Sequence, residues 1–258
     1  MWHLSRDTFG PRRDFAVDDG WSFQDRFTKR IAAIAKKLLP EIVLREIRHY
    51  RSYEKGERPL YLQIRISNRL GFTNPKLARV PKSAQAFLFV CFGNIMRSPM
   101  CEALLNRELA NLEVPRITVT SAGLNAIPDR PAHAWAITAA REFGISLEDH
   151  RARLLTPEMV DQADVIFVMD YQNQVQLLSR WAHAQKKVFL LSAYASQDYE
   201  LVEIVDPYYL GVEGTRHCYN ILDACIRNLV RGILNEERDH AHGANLTRPA
   251  HGRKPTSS

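Results

Sequence analysis

Along the 258 residues, the spacing of apolar positions changes character near residue 84. Before that point the pattern is helical. Phe27, Ile31, Ile34, Ala35 and Leu38 share one face of a helix that Ser22-Phe23-Gln24-Asp25 can cap, with Lys29, Arg30, Lys36 and Lys37 on the opposite face. Pro40 ends or kinks this stripe, and 41–50 resume as helix. Residues 60–70 fit two periods. Leu62, Ile64 and Ile66 alternate like a strand, whereas Leu62, Ile66 and Leu70 keep helical spacing between Pro59 and Gly71, which favours the helix. The stretch 73–83, with two prolines and three basic residues, reads as a linker.

Beyond residue 84, strands and helices alternate. Ala86-Phe-Leu-Phe-Val90 is a continuous apolar run, as expected of a strand buried on both faces. A helix opened by Pro99 follows to about 112, then a strand over 117–120 and a helix over 131–143. Thr156-Pro157-Glu158 caps a short helix before a strand over 165–169. A helix over 171–181, a strand over 188–191 and a long helix over 214–237 complete the series. Such βα repetition predicts an α/β fold: a four-stranded parallel sheet with helices on both faces, three-layered in the flavodoxin or Rossmann manner. The chain thus divides into a basic, mainly helical extension and linker (1–83), an α/β domain (84–237) and a tail (238–258) whose His, Gly, Pro and Ser content predicts disorder.

Composition narrows the class. Hydrophobic residues make up 45% and charged residues 25%, ordinary for a soluble protein with a real core. No apolar stretch approaches the length of a membrane span, and the opening Met-Trp-His-Leu-Ser-Arg-Asp does not read as a signal peptide. The four cysteines, Cys91, Cys101, Cys218 and Cys225, lack disulfide-framework spacing, which points to a reducing, cytoplasmic setting. Residues 1–83 carry 18 Lys and Arg against 9 Asp and Glu, and 84–258 carry 17 against 20, so the net charge of +6 resides in the extension. The α/β part is therefore not expected to bind nucleic acid. The basic helix could touch an acidic membrane surface, a partner or nucleic acid, although such a stripe more often packs its apolar face on its own protein. His240, His242 and His251 could hold a metal, but in a Gly/Pro-rich tail they read as solvated.

The chemistry concentrates in Val90-Cys91-Phe92-Gly93-Asn94-Ile95-Met96-Arg97-Ser98-Pro99, directly after a buried strand and before a helix. Ligands of open α/β sheets bind at the carboxyl ends of strands. Seven residues from Cys91 to Arg97 can curl so that backbone N–H groups converge, with Gly93 and Asn94 suited to torsions other residues resist. The helix adds its positive end, and Arg97 a planar fork for two phosphate oxygens. This anion cradle favours a Cys91 thiolate, the nucleophilic form. Ser98 could donate its hydroxyl to that sulfur.

The loop resembles the signature of the low-molecular-weight protein tyrosine phosphatases, a Cys-(x)5-Arg-Ser loop near the start of the catalytic domain. Thr120-Ser121-Ala122-Gly123 resembles the family's Ser-Ala-Gly segment, and Val205-Asp206-Pro207-Tyr208-Tyr209 its Asp-Pro-Tyr loop. The resemblance spans about 86–236. It implies a protein tyrosine phosphatase that works through a phosphocysteine without a metal or other cofactor. Cys91 is the implied nucleophile, Arg97 the phosphate clamp and Asp206 the general acid. Phe92, Gly93, Asn94, Ile95, Met96 and Ser98 would line the phosphate site, and Tyr208 and Tyr209 would flank an aryl substrate. The implied partner is a phosphotyrosine-containing protein, with a bacterial tyrosine kinase of polysaccharide export as the expectation from bacterial relatives.

Two departures bear on specificity and regulation. Met96 stands where many relatives have a second cysteine, which removes the intraloop disulfide. Ile95 stands where relatives that remove phosphate from arginine have threonine, which favours phosphotyrosine. A thiol-coupled arsenate reductase would need two further relay cysteines ahead of the Asp-Pro loop, whereas Cys218 and Cys225 follow it. A silent phosphate-binding adaptor would have no need of Cys91, Arg97, Ser98 and Asp206 together. Because the whole βα pattern lies beyond 83, the reaction on small substrates is expected to survive without the extension.

Overall fold

The computed structural model describes residues 41–69, 80–81, 83–110, 117–195 and 203–245. The helix expected over 22–38, most of the linker and the end of the tail lie outside them. The chain divides into two compact units between Ser52 and Tyr53. In the first, helix α1 spans Glu41–Ser52, as the sequence pattern suggests.

The second unit opens with helix α2, Arg58–Arg69, so the ambiguous stretch is helix as far as residue 69. The division by contacts thus falls at 52/53 rather than at 83/84, and α2 belongs with the α/β body. Then follow β1 (Ala86–Cys91), α3 (Arg97–Ala110), β2 (Thr118–Gly123), α4 (Ala134–Arg141), α5 (Pro157–Gln162), β3 (Val165–Val168), α6 (Tyr171–Arg180), β4 (Val188–Leu190) and α7 (Gly211–Asn245). The four strands lie in the order β2-β1-β3-β4, all pairs parallel. This is the sheet that the alternating pattern predicts.

Side-chain alternation explains the layers. Phe87, Phe89, Val165 and Phe167 join one core cluster with residues of α3, α4 and α7. The intervening Leu88, Val90, Ile166 and Val168 are equally buried but lie outside that cluster, as expected when successive side chains point to opposite faces. Phe167 stacks between its neighbours, its ring 6.3 Å from Phe87 and 5.4 Å from Phe89. Burying each such ring contributes about 2–3 kcal/mol.

Two boundaries differ from the pattern. The helix after the loop begins at Arg97 rather than Pro99, so Arg97 and Ser98 are already helical. Helix α7 continues to Asn245, eight residues past 237, because no proline interrupts the chain before Pro249. Only the part of the tail beyond 245 remains outside the described residues. Among the described residues no helix is long and apolar enough to cross a membrane.

Candidate active site

In register, Cys91 at the end of β1 faces Gly123 at the end of β2. From there the chain curls through Phe92–Met96 and enters α3. Asn94 takes the left-handed conformation, with φ of 52°. Gly93 does not, which corrects the expectation that its glycine freedom shapes the loop; the torsional demand falls one residue later. Asparagine tolerates that region because its short polar side chain can bond locally.

Asn94 is wholly buried and fully bonded. The Arg153 backbone N–H donates to its Oδ1 at 2.8 Å, which fixes the amide orientation. Its Nδ2 then donates to Ser98 Oγ and Ser121 Oγ, both at 2.9 Å. Ser121 donates in turn to Glu102 Oε2 at 2.5 Å, and Arg153 holds the same carboxylate at 2.9 and 2.7 Å. A carboxylate only accepts, so the donor direction of this chain is set from its far end. Ser98, having accepted from Asn94, has its one hydrogen left for Cys91 Sγ at 3.0 Å or the more distant Ala122 carbonyl at 3.3 Å. The Asn94 N–H points at the same sulfur from 3.3 Å. With the Ser98 hydrogen turned to the nearer sulfur, two donors meet on Cys91, an arrangement that suits a thiolate. His150 Nε2 donates to the Asn94 carbonyl at 2.7 Å; burial draws its pKa below the ordinary histidine value, so the ring serves as a neutral strut.

Arg97 is 1% exposed. One terminal nitrogen, Nη1, donates to Asp170 Oδ2 at 2.6 Å and to the Ile204 carbonyl at 2.9 Å; the other, Nη2, donates to Asp206 Oδ2 at 2.5 Å. Burial works against its charge. Asp170, then Asp206 and Cys91, more than offset this and carry its pKa above the usual guanidinium value. Asp170 also caps α6, accepting from the Asn173 N–H at 2.7 Å. This residue escaped the sequence reading. Its signal was an acid at the carboxyl end of β3, where ligands gather in such sheets.

The Asp-Pro segment forms a short turn over Pro207–Tyr209, capped by Asp206 through the Tyr208 N–H at 3.1 Å. The two tyrosines differ. Tyr208 packs edge-on against His133 at 5.4 Å, and His133 against Trp135 at 4.8 Å, so these rings form one wall. Tyr209 touches Tyr208 at 4.9 Å but is 88% exposed. Phe92 is the exposed residue of the loop, while Ile95 and Met96 are buried, so their side chains shape the cradle from beneath. His133 and Trp135 were not singled out in the sequence.

Gly123 has a role that the motif alone did not explain. A Cβ there would sit 2.8 Å from Asn94 N, 2.9 Å from the Gly93 carbonyl carbon and 2.9 Å from Ala126 Cβ. Backbone cannot yield as a flexible side chain can. Gly123→Ala should cost about 1–3 kcal/mol of stability and displace the loop, lowering phosphate affinity. Denaturant unfolding and phosphate titration of this variant check both effects. Wild-type values in both would mean that the loop tolerates the shift.

The remaining cysteines lie in the core. Cys101, Cys218 and Cys225 are 0%, 4% and 0% exposed. Burial pushes the thiols of Cys218 and Cys225 up to about 12 and that of Cys101 well above its ordinary value. None is placed as the exposed thiolate an arsenate-reducing relay needs. Among the described residues no His, Cys, Asp or Glu cluster could hold a metal. His251 is not among them, and the side chains of His240 and His242 are not described.

Comparison with known proteins agrees with this geometry. The model of the family described as low molecular weight phosphotyrosine protein phosphatase matches residues 86–240. The probable low molecular weight protein-tyrosine-phosphatase EpsP of Ralstonia nicotianae is 38% identical over 124 residues, 48% of this chain and 79% of that protein. The protein-arginine-phosphatase of Bacillus subtilis is 30% identical over 151 residues, 58% of this chain and 98% of that protein. The crystal structure of the tyrosine phosphatase AmsI from Erwinia amylovora superposes with a TM-score of 0.51 at 32% identity, covering 57% of this chain and 92% of that one. Since the matched span holds the whole sheet, the cysteine loop and the Asp-Pro turn, the chain belongs to the low molecular weight phosphotyrosine protein phosphatases, a family of cysteine-based phosphatases.

Proposed function

We propose that this protein hydrolyses phosphotyrosine in proteins, with Cys91 as nucleophile, Arg97 as phosphate clamp and Asp206 as general acid and then base. The observation that supports this most is the convergence on one loop mouth: donors at 3.0 and 3.3 Å from Cys91 Sγ, and Asp206 2.5 Å from the Arg97 guanidinium. An entering phosphoryl group takes the Arg97 fork and the loop N–H groups and displaces Asp206 from the ion pair, and the freed carboxylate takes up a proton from solvent. Sulfur attacks phosphorus in line, the phosphorus–oxygen bond to the aryl group breaks, and Asp206 gives its proton to the departing oxygen. Water then attacks the phosphocysteine. Asp206 takes a proton from it, and the sulfur leaves as a thiolate eased by the Ser98 hydroxyl.

Phe92, Tyr208 and Tyr209, with His133 and Trp135, offer aromatic faces at the mouth that suit an aryl ester. Gly93, Asn94, Ile95 and Met96 complete the cradle. The substrate class is a phosphotyrosine protein, and a bacterial tyrosine kinase is the partner in view, reached in the cytoplasm. The basic stripe of the extension is a candidate contact for an acidic membrane surface.

The relative from Bacillus subtilis is named for arginine rather than tyrosine, so the assay must separate the two. Side by side, phosphotyrosine and phosphoarginine peptides of one sequence should differ in kcat/KM by at least about 100-fold in favour of tyrosine, the scale on which a shaped site rejects a mismatched group. Equal rates, or a preference for phosphoarginine, would overturn the assignment of substrate while leaving the phosphatase chemistry in place.

A further inference from the structure

The family match begins at residue 86, yet the compact unit that holds the active site begins at Tyr53. The added segment brings large aromatic residues with it. Tyr53 and Tyr61 are 6% and 2% exposed, and their rings stack with centroids 4.5 Å apart. Helix α2 packs against α6, where the Arg65 guanidinium carbon lies 4.8 Å over the centre of the Tyr171 ring. Tyr171 is 2% exposed and is the first residue of α6. It directly follows Asp170, the carboxylate that holds Arg97.

The same place ties the acid loop down. The Tyr171 N–H donates to Glu203 Oε1 at 2.8 Å. The next residue, Ile204, donates its N–H to the Met169 carbonyl at 2.8 Å and accepts from Arg97 Nη1 at 2.9 Å. Met169–Tyr171 and Glu203–Asp206 are thus zipped together around the Arg97 side chain, and α2 packs on the helix that begins there. Tyr53 lies close enough to Glu203 and Asp170 that, after burial and Tyr61, their charges help to raise its phenol pKa. It stays neutral beside these carboxylates.

We propose that α2 is a positioning element for the phosphate clamp: Arg65, stacked on Tyr171, holds the first turn of α6 so that Asp170 presents Arg97 in the plane that two phosphate oxygens require. A guanidinium holds two phosphate oxygens only when its plane is correctly set, and Asp170 and the Ile204 carbonyl set it here through Nη1, so a loosened Asp170 weakens phosphate binding before it unfolds anything. The extension segment is therefore part of the catalytic machinery's support, against the expectation that all of 1–83 is dispensable. The inference rests on the phosphatase reading above, but phosphate binding reports on it without turnover.

The test uses the full-length chain with Arg65→Gln and Arg65→Lys, and with Gln63→Ala on an exposed position of α2 as control. Orthophosphate affinity is measured by calorimetry, kcat and KM with an aryl phosphate, and the melting temperature alongside. Arg65→Gln should weaken orthophosphate binding about fivefold and lower kcat/KM by a similar factor with its melting temperature held, while Arg65→Lys, which keeps a cation over the ring, recovers most of both. Unchanged orthophosphate affinity in Arg65→Gln overturns the proposal, and so does an equal loss in Gln63→Ala. A wild-type protein inactive on aryl phosphates would sink the phosphatase reading instead, and the affinity difference between the variants would still decide the role of α2.

Discussion

Cys91→Ser should lower turnover of an aryl phosphate by on the order of 10⁴-fold or more, the scale on which enzymes lose activity with their nucleophile. The chain should remain folded, because serine is smaller and its oxygen can keep the bonds to Ser98 and the Asn94 N–H that the sulfur now makes. Arg97→Ala should be as inactive but less stable. Arg97 lies between two carboxylates, and side-chain exposure is 17% for Asp170 and 43% for Asp206. Removing the cation leaves Asp170 in particular poorly solvated and unpaired, a loss of about 3 kcal/mol where a buried ion pair is broken. Steady-state rates with denaturant unfolding separate the two cases. A Cys91→Ser enzyme with substantial activity would contradict the mechanism, and an Arg97→Ala variant of wild-type stability would contradict the paired-carboxylate account.

Asp206→Ala separates substrates by leaving group. Tyrosinate, with a pKa of about 10, needs protonation to depart, so its ester should slow by on the order of 10²–10⁴-fold. An ester of a much more acidic phenol should slow far less, giving a steep dependence on leaving-group pKa that the wild type lacks. The ion pair adds a second expectation. In the resting site Asp206 occupies Arg97 Nη2 at 2.5 Å, where a phosphate oxygen must bind. Without that carboxylate, phosphate meets no competitor, and its affinity should rise. An unchanged leaving-group slope would place the acid elsewhere. Weaker phosphate binding would mean that Asp206 helps to form the site instead of guarding it.

Much of this was legible in the sequence for a physical reason: the sheet is buried on both faces. Ala86–Val90 and Val165–Val168 read as strands because both of their sides meet helices. The end of β2 was harder, since Ser121 and Gly123 are held by side-chain bonds and close backbone approach, not by an apolar pattern. Cys91, Arg97, Ser98 and Asp206 were visible as a motif. Their supports were not. Asp170, His150 and Arg153 act across long gaps in sequence, and Glu102, though on the helix the loop enters, reaches the loop only through Ser121. The segment before 84 is harder to read for a related reason. Proline-rich 73–83 looks like a domain border, but Tyr53 and Tyr61 find their burial beyond it, in the unit that also holds α6.

The central claim is a covalent phosphocysteine on Cys91. Rapid quench of the full-length protein in the first turnover with an aryl phosphate, followed by peptide mass spectrometry under conditions that preserve thiophosphate esters, tests it most directly. A transient phosphate is expected on the peptide containing Cys91, formed with a burst of one phenol per active site, longer-lived in Asp206→Ala with an acidic leaving group, and absent from Cys91→Ser. Phenol release with no phosphorylated intermediate, or with the phosphate on any residue other than Cys91, would contradict it.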